Sequence, residues 1–146
     1  MQTDNRPLIV ADSSVLIKWC VREEEDREQV VKMQQDFIDD KFKMLVPLLL
    51  DWEVNNFLGR SFDSSTASSK YSNFKMLQLT GVMLTLELSH AAFEIMKKCP
   101  GVTFYDASYH ALALSRSGTF LTTDKKYYDK AQKLGHIMLL KDYTAQ

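Results

Sequence analysis

The sequence predicts a three-layer α/β/α fold around a short, mostly parallel central sheet, and three observations carry that reading. Leu8-Ile9-Val10-Ala11 is apolar without alternation, the pattern of a central strand covered on both faces. Similar short runs recur along the chain, separated by segments whose apolar residues repeat at helical spacing. No internal repeat, linker or low-complexity stretch interrupts them, so residues 1–146 are expected to form a single domain.

Taken in order, the first strand ends at Asp12, and Asp12-Ser13-Ser14 supplies capping oxygens for a helix through Val15, Ile17 and Trp19. The charge run Glu23 to Asp26 reads as a solvated loop and helix start. Val30, Met33, Phe37 and Ile38 then mark an amphipathic helix to about Asp40. Lys43 to Val46 is a second strand ended by Pro47, and a helix from about Leu49 turns Val54, Phe57 and Leu58 inward, with Gly59 near its end. The Ser-rich piece Ser61 to Ser69 leads into a helix with Ala67, Tyr71, Phe74 and Leu77 on one stripe. Met83-Leu84-Thr85 is a weak strand, followed by a helix through Ala91, Phe93, Ile95 and Met96 to Lys98. After Pro100-Gly101, Asp106 is expected to cap a helix that stops at a C′ glycine, Gly118. Thr119 to Thr122 is a β-branched and aromatic strand, and Asp124 caps the next helix, which closes at Gly135. Ile137 to Leu140 is the last strand.

Composition bounds the function. Apolar content of 45% and charged content of 25% describe an ordinary water-facing domain. The longest apolar run, Met44 to Leu50, is far too short to cross a bilayer, so no membrane partner is expected. MQTDNRPLIVA does not resemble a secretion signal, and Cys20 and Cys99 lack CxxC spacing. Both are therefore expected as reduced thiols in a cytoplasmic protein. A net charge of −1 argues against holding nucleic acid by bulk electrostatics, so any such contact must be local or metal-assisted.

In doubly wound sheets, ligands bind outside the carboxyl ends of the strands. Asp12 and Asp124 follow strands, Asp106 begins a helix, and Glu53 falls in the first turn of the helix after the second strand. Each alone could be a cap or a first-turn acid complementing the helix dipole. Together they would place like charges at one sheet edge, raising each other's pKa values unless a cation neutralised them. Oxygen-only ligands favour Mg²⁺ or Mn²⁺ over Zn²⁺, and the chemistry such a rim serves is phosphodiester hydrolysis. No Ser-His-Asp or Cys-His set competes for the role.

Four segments in order, ADSSVLIKW, VPLLLDWEVNNFL, YDASYHALAL and LTTDKKYYDKA, resemble the PIN-domain ribonucleases, and within them the VapC-type toxins of toxin–antitoxin pairs. The resemblance implies an endoribonuclease dependent on Mg²⁺ or Mn²⁺, with metal-binding roles for Asp12, Glu53, Asp106 and Asp124. It further implies supporting hydroxyls at Ser13 or Ser14 and Thr122, an RNA substrate, a cognate antitoxin protein and a homodimer. His110 stands where the family usually has an aliphatic residue.

Other residues have plainer readings beside functional ones. Lys18, Arg60, Arg116, Lys125 and Lys126 fall near the expected strand ends or their flanking helices and are candidates for RNA phosphates, against the default of solvated side chains. His110, one turn after Asp106, is a packed or exposed histidine rather than half of an Asp-His metal pair, because nothing else suggests a nitrogen-rich site. Trp19, Trp52 and the Tyr71, Phe74, Leu77 stripe read as core or dimer contacts. Phosphoryl transfer on an aspartate is disfavoured, since Asp12 lacks both the Asp-x-Asp pattern and an adjacent acidic pair. A housekeeping RNA-processing nuclease and a non-catalytic RNA- or protein-binding module of the same fold are the alternatives.

Overall fold

The computed structural model describes residues 3–144. Five parallel strands form one sheet: β1 (Leu8–Ala11), β2 (Lys43–Pro47), β3 (Thr80–Val82), β4 (Thr119–Thr122) and β5 (Ile137–Leu139), in the order β3-β2-β1-β4-β5. The chain winds outward from β1 to β3, then crosses back to β4 on the other side. The winding direction therefore reverses between β1 and β4, the place where an α/β sheet opens a crevice at its carboxyl edge.

Both faces of the sheet are covered, as the unbroken apolar run of β1 predicts. Ile9 and Ala11 point into a core with Val15, Met33, Val54 and Leu58, supplied by α1 (Ser13–Cys20), α2 (Arg27–Ile38), α3 (Leu49–Ser61) and α4 (Ser64–Lys75). Val10 points the other way, into Ala92, Ala107, Leu112 and Phe120, beneath α5 (Leu86–Lys98), α6 (Phe104–Ser115) and α7 (Lys125–Ala131). Alternation along a four-residue strand thus feeds two separate cores. No helix among the described residues is long and apolar enough to cross a membrane. Cys20 and Cys99 are free thiols, and burial pushes the Cys20 thiol up to about 11.

Several expectations are corrected. The third strand is Thr80–Val82, not Met83 to Thr85, because β2 ends at Pro47, the partner of Val82, and offers no backbone beyond it. Met83 and Leu84 are exposed, and Thr85 caps α5 by accepting from the Leu88 N–H at 3.1 Å. Thr103, not Asp106, caps α6: its hydroxyl oxygen accepts the Asp106 N–H at 3.1 Å, which puts Asp106 inside the first turn. That helix ends at Ser115, and the left-handed residue after it is Ser117 (φ 53°), not Gly118. Gly118 is required for another reason, since a Cβ there would sit 2.8 Å from the Leu8 carbonyl oxygen where β4 joins β1. Glu53 lies in the second turn of α3, Asp51 taking the first. Ile38 and Phe93 face solvent, at 63% and 52% exposure, and the last strand stops at Leu139.

Candidate functional site

The crevice between β1 and β4 gathers the acidic residues. Asp12 leaves β1 only 6% exposed and caps α1, accepting the Val15 N–H on Oδ1 at 3.2 Å. The Ser14 hydroxyl donates to the same oxygen, and the Thr122 hydroxyl at the end of β4 donates to Oδ2. Those hydroxyls are themselves fixed: Ser14 Oγ accepts the Thr123 N–H at 3.2 Å, and Thr122 Oγ1 accepts the Asp124 N–H at 3.1 Å. Asp12 is therefore locked to both strands that border the crevice. Asp124 caps α7 through the Tyr127 N–H, 3.0 Å from its Oδ1. Glu53 reaches in from α3, where the Tyr109 hydroxyl of α6 donates to its Oε1 at 2.7 Å and Ser13 also bonds it.

Electrostatics shows that these carboxylates sense one another. Burial holds Asp12 up at about 6, against an ordinary 3.8, despite three hydrogen bonds that favour its charged form; the charge of Asp106 adds to the shift. Burial raises Glu53 as well, again with Asp106 repelling it. Asp106 is raised by burial and then by Asp124. Asp106 is thus the common neighbour of the other three. Such a cluster of half-covered negative charge is a place where a cation would be bound with gain.

Among the described residues, no three His, Cys, Asp or Glu side chains close into a preformed cage. The carboxylates instead act on one another in pairs, Asp12, Glu53 and Asp124 each with Asp106. All the donors are oxygens, which suits a hard divalent ion that takes few protein ligands and keeps several waters. Asp12, Glu53, Asp106 and Asp124 fit such an ion in donor type and in charge.

The remaining candidates separate by position. A groove of about 370 Å³ runs from Ser13 and Glu53 past Asn56 to the exposed Arg60. Lys125 and Lys126 open α7 beside Asp124, and Lys125 pairs with Asp129 at 2.9 Å. Lys18 is covered, at 9% exposure, and its ammonium pairs with Glu23 at 2.8 Å. Arg116 follows the carboxyl end of α6, whereas Asp106 lies at its amino end, so the structure sets Arg116 apart from the rim. His110 is fully buried: its Nε2–H donates to the Gly135 carbonyl at 2.8 Å, and its Nδ1 accepts from the Tyr127 hydroxyl at 2.9 Å. It is a neutral core histidine, and burial lowers its pKa. Tyr109 is the residue that sequence reasoning missed, although its place one turn after Asp106 puts it on the same face of α6.

A parallel α/β sheet covered by helices on both faces, with acidic residues beside its switch point, defines the class by its architecture. Within it the chain belongs to the PIN-domain family, whose family model matches residues 9–133. No curated protein sequence matches it. Among solved structures, FitAcB from Neisseria gonorrhoeae is similar over 90% of this chain and 95% of its own, with a TM-score of 0.69 at 13% identity. VapBC2 from Rickettsia felis, solved bound to a DNA fragment from its promoter, is similar over 90% and 96%, with a TM-score of 0.67 at 10% identity. VapC20 from Mycobacterium tuberculosis, described as a sarcin-ricin loop cleaving toxin, covers 83% and 93%, with a TM-score of 0.63 at 13% identity. At these identities the likeness is one of fold.

Proposed function

We propose that the chain is a Mg²⁺- or Mn²⁺-dependent endoribonuclease and the toxin of a toxin–antitoxin pair. The observation that supports this is that burial, and after it the charge of Asp106, disfavours the ionised forms of Asp12 and Glu53, as burial and then Asp124 do for Asp106; a bound cation would offset that cost. A bound divalent ion would polarise the scissile phosphodiester and supply hydroxide near neutral pH. The chain's own residues orient and hold. Ser14, Thr122 and the Val15 N–H keep Asp12 in one geometry, and Ser13 and Tyr109 hold Glu53. Arg60, in the groove with Glu53, and Lys125 and Lys126, beside Asp124, would take RNA phosphates. This local charge compensates for the lack of any overall positive charge.

Support for partner chains comes from the surface. Leu48, Trp52, Met83, Leu84, Leu86 and Tyr105 are all at least half exposed, an apolar concentration typical of proteins that bury area against another chain. A cognate antitoxin and a homodimer both fit that surface, and the similar structures include toxin–antitoxin complexes.

The deciding experiment incubates RNA with purified protein and Mn²⁺. Wild type is expected to cleave, while Asp12→Asn and Asp106→Asn are expected to fold and not cleave. Full activity in either variant overturns the nuclease reading. Growth arrest on expression, relieved by the product of the adjacent reading frame, is expected of a toxin; its absence from an active nuclease would point to RNA processing instead.

A further inference from the structure

We propose that Tyr109 is a positioning residue whose hydroxyl fixes the orientation of the Glu53 carboxylate in the acidic rim. The inference rests on the reading of that rim as a divalent-metal site. Tyr109 belongs to α6 and Glu53 to α3, so their hydrogen bond, 2.7 Å from hydroxyl to Oε1, joins opposite layers of the fold. The tyrosine ring is 1% exposed and stacks on Phe120 of β4, with centroids 6.0 Å apart and planes 17° apart. The phenol is therefore a fixed point and the glutamate the movable partner.

A glutamate has three rotatable bonds, and this one is only half covered and faces the charge of Asp106. Ser13 is its other partner, so without the phenol the carboxylate would be held from one side only and could turn away from its like-charged neighbour. The phenol O–H is a donor to a carboxylate, the kind of hydrogen bond that strengthens when the acceptor is ionised. With Oε1 engaged by Tyr109 and Ser13 as a second partner, the carboxylate is held in one orientation. Packing alone would be served by phenylalanine at this position; the hydroxyl adds nothing to the stack on Phe120. Tyr109 also lies in the field of Asp12 and Asp106 as well as Glu53, so its O–H reaches the middle of the rim rather than its margin.

The test compares wild type, Tyr109→Phe, Glu53→Ala and the double variant by calorimetric Mn²⁺ titration and by RNA cleavage kinetics. Tyr109→Phe is expected to bind Mn²⁺ roughly 10-fold more weakly. Its kcat should fall in proportion while KM for RNA stays unchanged, a split that loss of packing would not produce. In the Glu53→Ala background the tyrosine substitution should add nothing. Wild-type Mn²⁺ affinity in Tyr109→Phe, or an undiminished further loss in the Glu53→Ala background, overturns the proposal. Glu53→Asp leaves the buried ring untouched and withdraws the carboxylate by one methylene; unchanged affinity there also overturns it. Wild type that binds no Mn²⁺ defeats the metal-site reading itself, whereas normal binding by both wild type and Tyr109→Phe defeats the tyrosine assignment alone.

Discussion

Asp106 and His110 sit one turn apart on α6 and live in opposite electrical circumstances. His110 has no exposed surface, yet both ring nitrogens are matched, one to a carbonyl and one to a hydroxyl. Asp106 is partly open to water, yet burial and the nearby Asp124 disfavour its charge. A fold that can satisfy a buried histidine completely has not done the same for an aspartate four residues away. The difference teaches where selection for stability ends: local conflict that persists beside full satisfaction marks a site kept for binding.

The largest effect should come from breaking the conflicted side. If Asp106 is a ligand as proposed, Asp106→Asn should reduce Mn²⁺-dependent RNA cleavage by at least about 100-fold, beyond the 10- to 100-fold typical of supporting residues. In EDTA the same variant should melt at or above the wild-type temperature, because removing its charge relieves repulsion. A clear fall in melting temperature would mean that Asp106 serves stability after all.

Breaking the satisfied side should act on stability instead. His110→Leu leaves the Gly135 carbonyl and the Tyr127 hydroxyl without their partner, at a cost of about 2–4 kcal/mol. Urea unfolding would show it as a lower midpoint with a similar slope.

The pH dependence sharpens the contrast. Asp12 titrates near 6 in the fold and near 3.8 outside it, so the folded state binds the extra proton between those values. Its ionisation therefore removes about 3 kcal/mol of stability in all as pH rises from below 3.8 through 6, with the loss complete about one unit above 6. Melting curves in EDTA should show wild type losing ground against Asp12→Asn across that window, and parallel curves would refute the assignment. His110 works in the other direction: its lowered pKa makes the fold lose stability as pH falls below 6.5.

The smallest effect is expected from Tyr127→Phe, which removes one buried hydrogen bond to His110 and should cost about 1 kcal/mol with cleavage unchanged.

The strands and helices were readable because β1 is apolar throughout, β4 is β-branched and aromatic, and the helices keep their period. Asp12 and Asp124 were placed correctly as caps, since an aspartate after an apolar run has few other uses. Asp106 was misassigned because Thr103 sits three residues earlier with the same capping chemistry, and both residues satisfy the pattern. β3 was displaced because Gly81 weakens its strand signal while the more apolar Met83 and Leu84 lie outside the ladder. Spacing could put Tyr109 on the face of Asp106, but not pair it with Glu53, which is 56 residues away and met only in the folded chain.

The bond between Asp12 and Thr122 spans 110 residues and has a consequence for how the molecule comes into being. Contacts of such long range form late, after the local helices and the β1–β2 ladder. The acidic rim therefore does not exist until β4 has slotted between β1 and β5. Chains arrested short of Thr122 lack this bond and the β4 ladder that borders Asp12. Whatever this site does, it does only in molecules that have finished folding.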